Sequence, residues 1–499
     1  MKNREIWPLK KVLNNLKMNS WMKNRFPFII IIATLFTINA CMVGPKFQKP
    51  LSLIDSTAIY RYDSLQLAMT DSVLNIKWWD LFKDPVLDTL IKISLRENKD
   101  ILIASARIEQ SRAAVGIAKA DYWPKFGYQA GTMRGNVFNG LPTEGGSAGN
   151  IFTGFGTLNW ELDFWGKFRR STEAAKAKLI ASEYGRRTIQ IGLISQIVGT
   201  YYTLLDFKWR LEISRNTLRL RQASLDIIQE RYNKGIIPEI DLNQAQIQRA
   251  IAAAAVPNYE RRVAQTENAL SILLGRNPTP VMTGFELVNQ PLPPDIPVGL
   301  PSMLVERRPD ILQAEEILRA QNAQIGVAVA QRFPAISLTG LLGVASNDIS
   351  NLTSNGLAFS GGASLLGPLF EFGKNKKRVE VERYKTEQAL YEYERTVITA
   401  FQEVEDALVE IETLKNELEV RQDYVNAALN ARYLSQERYD KGVTSYLELL
   451  ESERQAFEAE LRFSETTQQL FNGYTKLYKA LGGGWLSEEE MNSASETEN

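Results

Sequence analysis

No histidine occurs in the 499 residues. That removes the commonest general base and the commonest metal ligand. Glu, Asp or Lys chemistry remains open, but no nucleophile–base pair, phosphate-binding loop or metal-ligand cluster stands out. The chain therefore reads as a non-enzyme without a cofactor. Cysteine is almost absent too: Cys41 stands alone, so an intrachain disulfide is excluded. Charge of either sign is lacking in excess, with 58 basic against 58 acidic side chains. A balanced chain gives no support for a nucleic-acid partner. The apolar run 26–38 spans only 13 residues. That suits a signal-peptide core and is too short for a membrane-spanning helix.

Lys23 and Arg25 precede this run, and Asn39-Ala40-Cys41 follows it. Ile38-Asn39-Ala40-Cys41 resembles a bacterial lipobox, in which a small residue precedes the Cys that becomes lipidated; Asn39 departs from the pattern. The competing reading is a plain secretory signal with a chance Cys. The position of the chain's one Cys at the end of the run favours lipidation. Residues 1–40 are thus expected to be a lipoprotein-type signal peptide, and 41–80 a lipid-anchored arm. Translation from Met1, Met18 or Met22 would leave the same mature start at Cys41.

Two tips punctuate the rest. At Arg438-Tyr439-Asp440-Lys441-Gly442-Val443-Thr444-Ser445, Gly442 supplies a left-handed stop for one helix, and Thr444 or Ser445 can cap the next. Arg231-Tyr232-Asn233-Lys234-Gly235-Ile236-Ile237-Pro238 repeats the pattern. Residues 375–441 carry neither Pro nor Gly. Arg169 to Lys234 lack Pro, and as one helix would extend roughly 100 Å. Further helices are expected over 84–120 and 239–274, the latter bent at Pro257. Gly185, Gly192 and Gly199 lie seven apart, a stripe that a neighbouring helix could approach closely.

The chain is duplicated. Residues 100–124 align with 310–334 at an offset of 210, with nine identities in 25 that include Asp100/Asp310, Gly116/Gly326 and Pro124/Pro334. From Gly166-Lys167/Gly373-Lys374 onward the offset is 207. The halves are placed at 81–275 and 302–482, joined by a Pro-rich linker at 276–301 and followed by a tail, 483–499. Each reads helix, strand, strand, long helix, helix, with strands near 125–137 and 151–163, then 335–346 and 357–369.

Strand length and weak alternation suit an outer-membrane barrel, and Tyr122, Trp123, Phe164, Trp165, Phe333, Phe370 and Phe372 would form an interfacial girdle. A soluble sheet with core aromatics is the competing reading for any one strand. Four strands cannot close a barrel, and lipid does not tolerate an open edge. Two chains would supply eight strands and three would supply twelve. The helices carry charges every few residues, as at Glu380, Glu382, Arg383 and Lys385, so they belong in water.

The duplicated layout, the tips, Arg308-Pro309-Asp310-Ile311, Pro368-Leu369-Phe370 with Phe372-Gly373, and the ending Leu477 to Trp485 resemble the TolC-type outer-membrane efflux proteins. The lipid-anchored branch associated with resistance–nodulation–division (RND) pumps is most similar, and Cys41-Met-Val-Gly-Pro resembles its opening. The resemblance implies a mainly α protein with membrane β. A homotrimer would form a 12-stranded outer-membrane barrel continuous with a ~100 Å periplasmic α-helical barrel. It implies an exit duct for small molecules such as drugs in a Gram-negative outer membrane. A periplasmic adaptor and an inner-membrane RND-type pump would open it. It also implies that the tips, Gly235, Ile236, Gly442, Val443, Thr444 and Ser445, meet the adaptor. Leu447, Glu451 and Arg454 would close the periplasmic end. These three sit at i, i+4 and i+7, on one helix face. By spacing alone they are equally an ordinary amphipathic face. The first half carries Ile240, Gln244 and Ile247 there. Competing functions are the outlet of a type I protein secretion system and a coiled-coil scaffold lipoprotein without membrane strands.

Overall fold

The computed structural model describes residues 42–50, 81–135, 137–138, 141–142, 148–293, 305, 307–352 and 357–483. Cys41, the signal segment, most of the arm and the tail from 484 lie outside the described residues. The chain divides into two compact units. The first takes the described parts of Met1–Phe47, Ala114–Lys176 and Ala320–Thr386; the second takes those of Gln48–Ala113, Ala177–Arg319 and Glu387–Asn499. Each unit therefore draws on both sequence halves.

The helices repeat in length. α2 (Lys99–Ala120) and α5 (Pro309–Ala330) both have 22 residues. α3 (Lys167–Asn233) and α6 (Lys374–Asp440) both have 67, and α4 (Glu239–Leu273) and α7 (Tyr446–Ala480) both have 35. α4 runs unbroken through Pro257. No helix among the described residues is long and apolar enough to cross a membrane. The helix expected over 84–120 is two helices, α1 (Pro85–Glu97) and α2, parted at Asn98 with ψ 133°. The cause is the side chain of Asn98. Its Nδ2 donates to the Leu273 carbonyl at 2.9 Å, and its Oδ1 accepts from the Asp100 amide at 2.8 Å. One Asn thus closes the end of α4 and opens α2.

Arg308 does the corresponding work in the second half. It is 4% exposed, donates Nη1 to the Ala480 carbonyl at 2.9 Å, and pairs with Asp310 and Glu403 at 2.7 and 2.6 Å. This explains the Arg-Pro-Asp motif physically. Asp84 provides a third tie. Its carboxylate accepts from the Val86 amide, the Tyr201 hydroxyl and Gln290 Nε2, pinning the chain after α4 to the start of α1. Around it lies the main core, where Tyr202 stacks on Phe471 at 4.3 Å.

The first unit holds an antiparallel sheet of β1 (Lys125–Gly135), β4 (Gly149–Leu162), β5 (Ala335–Ser346) and β6 (Leu357–Leu366), in that order. The short β2 (Val137–Phe138) and β3 (Leu141–Pro142) pair between β1 and β4. Neither outer edge of the sheet, β1 or β6, has a partner among the described residues. Apolar side chains stand in the open: Tyr128 is 92% exposed and Phe359 81%. Of the expected aromatic girdle, Trp123, Phe370 and Phe372 are exposed, whereas Tyr122, Phe164 and Trp165 are half-buried.

The segment just after Cys41 is docked in the same unit. Val43 donates its amide to the Trp165 carbonyl at 3.2 Å. Arg170, 1% exposed, donates Nε to the Val43 carbonyl and Nη2 to that of Gly44, and pairs with Glu173 at 2.8 Å. The expected glycine stripe is mixed. A Cβ at Gly185 would lie 3.0 Å from Gln313, and one at Gly199 would lie 3.4 Å from Asn472, yet Gly192 faces open space.

Candidate functional site

Both tips are built by one backbone device. Gly442, at φ +70°, donates to the Tyr439 carbonyl, and Val443 donates to that of Arg438. Gly235, at φ +69°, donates to Tyr232, and Ile236 donates to Arg231. This paired closure of the last carbonyls needs a left-handed residue, which glycine adopts without Cβ strain. Ile236 and Val443 are left 66% and 67% exposed.

The expected cap did not form. Ser445 occupies the cap position of α7 but makes no side-chain hydrogen bond to the helix amides. The Thr444 hydroxyl instead donates to the Glu448 carboxylate, which also faces Arg438 Nε at 3.5 Å. In this charge-assisted bond the hydroxyl is the donor, whereas a cap would accept from the helix amides.

The two tips share a core. Ile228, Leu242 and Ala245 of the first half pack with Tyr446 and Leu449 of the second. Arg231 lies over the Tyr439 ring at 5.0 Å, and that ring lies 5.6 Å from Tyr446. Burial pushes the Tyr439 and Tyr446 hydroxyls above their ordinary values.

This core fixes which face of α7 is free. Tyr446, Leu449, Ser452, Ala456 and Ala459 are buried; Leu447, Glu451, Arg454 and Glu458 are exposed. The three residues singled out in the sequence therefore occupy one open stripe. Glu451 and Arg454 form a two-pronged pair, Oε1 to Nη2 at 2.7 Å and Oε2 to Nε at 3.0 Å. Gln455 donates to Glu451 as well, and Arg454 reaches Glu458 at 3.3 Å. The Arg454 hydrogen bonds pull the Glu451 carboxyl down to about 2. Leu447 is 61% exposed one turn nearer the tip. On α4 the corresponding Ile240 and Ile247 are exposed and Gln244 is half-buried, so that stripe is uncharged.

A buried charge behind this face escaped sequence reading. Arg221 is 3% exposed, donates Nη1 to the Gln248 carbonyl at 2.8 Å, and lies 5.3 Å from the Phe457 ring. Burial lowers its basicity, and burial raises Glu453 against the pull of Arg221 and Arg432. The signal was present: Arg221 falls on the stripe of Ser214, Thr217 and Ile228, all buried. Among the described residues, no cluster of three or more His, Cys, Asp or Glu could hold a metal ion.

The chain has counterparts among known proteins. The probable efflux pump outer membrane protein TtgC of Pseudomonas putida is 31% identical over 469 residues, covering 92% of this chain and 96% of the relative. The probable outer membrane lipoprotein SilC of Salmonella typhimurium is 29% identical over 462 residues, covering 92% and 99%. Among solved structures, the Campylobacter jejuni CmeC outer membrane channel superposes with a TM-score of 0.83 at 27% identity, covering 91% of this chain and 98% of that one. The sequence profile described as outer membrane efflux protein matches residues 90–276 and 300–483, one segment for each half. The duplicated helices, the four-stranded sheet and this double match lead to one conclusion: the chain belongs to the outer membrane efflux protein family.

Proposed function

We propose that this protein is the outer-membrane exit duct of a tripartite efflux system. It conducts small molecules passively and performs no catalysis. The observation that carries the reading is the open sheet. Each outer strand, ten residues or longer, has one edge without a partner among the described residues, and large apolar side chains stand exposed on the sheet. Such a sheet is stable in lipid only when further copies close it. Three copies give the 12-stranded homotrimer that the family resemblance implies. The halves at 81–275 and 302–482 are its repeating units. Cys41 carries the lipid anchor, in keeping with the lipoprotein name of SilC and with the docking of Val43 and Gly44 beside it.

The tips at Gly235-Ile236 and Gly442 to Ser445 receive the adaptor, whose partner is an inner-membrane RND-type pump. Both present an exposed apolar residue on a rigid glycine-closed turn. Leu447, Glu451 and Arg454 form the closed end. An exposed Leu ring excludes water, and the acid–base pair beneath it selects ions. The test is direct. The lipidated protein, purified in detergent, should be trimeric by native mass spectrometry and should insert pores into planar bilayers. A monomer, or a trimer without conductance, overturns the reading.

A further inference from the structure

Above the tip, the open stripe of α7 leads into two clefts within the second unit. Counted from Leu447, the residues Glu451, Arg454, Glu458, Glu465 and Asn472 fall at i+4, i+7, i+11, i+18 and i+25, so they share one side of the helix. The first cleft, about 370 Å³, is lined by Arg210 of α3, Tyr259 and Arg262 of α4, and Glu458, Arg462 and Glu465 of α7. The second, about 450 Å³, lies seven residues farther from the tip on each helix, as Arg210 to Thr203, Arg262 to Ala269 and Glu465 to Asn472 show. That places the clefts about 10 Å apart along the helices. The second is lined by Gln196, Thr200, Thr203, Gln265, Thr266 and Asn472, which offer amides and hydroxyls but no charge. Gly199 lies among them, and its missing Cβ leaves the space open beside Asn472.

The carboxylates of the first cleft already have partners. Glu465 is reached by Arg462 at 3.2 Å and by Arg210 at 3.5 Å, and Glu458 by Arg454 at 3.3 Å. Behind the wall, buried Asp206 holds Arg210 at 2.8 Å and accepts from the Ser464 hydroxyl at 2.6 Å. Arg262 differs. Its guanidinium lies 5.3 Å from the Phe207 ring and meets no carboxylate or other oxygen acceptor among the described residues. An aromatic face orients a guanidinium but leaves its in-plane N–H donors open. Gln265 and Thr266 follow Arg262 at i+3 and i+4, so one side of α4 runs from this free cation into the uncharged cleft.

We infer that the two clefts together bind elongated organic monoanions. A carboxylate pairs with Arg262, and a body bearing amides or hydroxyls runs along α4 past Gln265 and Thr266 into the uncharged cleft. A guanidinium takes a carboxylate through two parallel hydrogen bonds, and cavities of this size suit small molecules. Both clefts belong to one chain. The inference rests on the duct reading only for its place in the solute path, on the same side of α7 as Leu447, Glu451 and Arg454.

Equilibrium dialysis of the full-length protein in detergent tests it with two probes. Hippurate carries a ring, an amide and a carboxylate; hippuramide is its uncharged counterpart. Hippurate should bind saturably, and hippuramide roughly tenfold or more weaker, because it lacks the charged acceptor. Arg262→Gln should weaken hippurate by a similar factor and leave the melting temperature unchanged. Arg261→Gln removes the adjacent guanidinium, which donates to Asn258, and should leave hippurate binding as it was. Equal binding of the two probes, no effect of Arg262→Gln, or an equal loss in Arg261→Gln overturns the site. Gln265→Leu should weaken hippurate several-fold, and unchanged binding there overturns the role of the uncharged cleft. In planar bilayers hippurate should reduce the current of the parent channel and not that of Arg262→Gln. A protein that conducts but binds no hippurate defeats this inference alone; one that binds hippurate without conducting defeats the duct reading and leaves the site standing.

Discussion

Replacing Gly442 separates two reasons why a tip glycine matters. Gly442 stands at φ +70°, and a Cβ built there meets nothing within 4 Å. A Cβ at this position therefore meets no neighbour. The penalty of Gly442→Val is the left-handed backbone alone, about 1–2 kcal/mol. In a chain of this size that lowers the melting temperature by only a few degrees, by extrapolation from smaller domains. Contrast Gly343→Ala, where the Cβ would lie 2.0 Å from the Gly154 carbonyl oxygen inside the sheet. That change should abolish assembly. In Gly442→Val the strain is relieved most cheaply by re-forming the turn. The Gly442–Tyr439 and Val443–Arg438 hydrogen bonds are then lost, and the exposed Val443 turns away. The expected outcome is a membrane-inserted oligomer at normal abundance with efflux abolished, read as lost antibiotic resistance in a strain that depends on this channel. Gly442→Asn, which tolerates the left-handed region, should retain most of the activity. Normal efflux in the Val variant, or equal loss in the Asn variant, refutes the argument.

Leu447→Ala combined with Glu451→Ala should raise conductance in planar bilayers and admit antibiotics that are otherwise too large; unchanged conductance at equal abundance places the closure elsewhere. Glu451 has its carboxyl pulled down to about 2 by Arg454. The depressed carboxyl keeps its charge down to about pH 2, and whatever stability that charge adds is full above the ordinary carboxylate range and lost as pH falls from there through about 2. Cation preference should accordingly persist below about pH 4, where an ordinary carboxylate already titrates, and titration near pH 6 would mean that neighbouring carboxylates, not Arg454, set its environment. Arg308→Met should cost on the order of 2–4 kcal/mol, at the lower end for a buried charge because Asp310 and Glu403 remain partly wetted. Asn98→Ala should cost only about 1 kcal/mol, so equal melting temperatures for the two variants would contradict this ranking. Mass spectrometry of the mature protein should show a diacyl- or triacyl-modified Cys41, and an unmodified N-terminus elsewhere would exclude the anchor.

What the sequence displayed follows local chemistry. Gly235 and Gly442 marked the tips because only a left-handed residue closes a helix in that way. Ala335–Ser346 matched its expected limits, and the 67-residue helices matched theirs within two residues. What it concealed depends on partners far along the chain. Asn98 looks tolerable inside a helix until Leu273, 175 residues away, offers its carbonyl. Arg170 looks like a surface charge, yet carbonyls 126 and 127 residues upstream make its burial affordable. Thr444 looks like a cap, yet its hydroxyl donates to the Glu448 carboxylate.

The same distinction explains how a duplicated chain can carry one charged stripe beside its tips. The backbone positions under Ile240, Gln244 and Ile247 and under Leu447, Glu451 and Arg454 are equivalent, since α4 and α7 have equal length and both follow glycine turns. Burial is also equivalent: Leu242 and Ala245 lie in one core with Leu449. Packing therefore constrains the inner faces of both helices and leaves the outer faces free to diverge. The first half carries no charge at these positions, and the second carries an ion pair there. A charge pair on an exposed face contributes little to stability, so fold alone does not account for the difference. Exchanging the stripes would separate the two roles. Ile240→Leu, Gln244→Glu and Ile247→Arg should fold normally and add a second ring of ion pairs, lowering conductance without altering the melting temperature. A loss of assembly in that variant would show that the outer face of α4 is packed in the oligomer, and that the two helices do not face the pore alike.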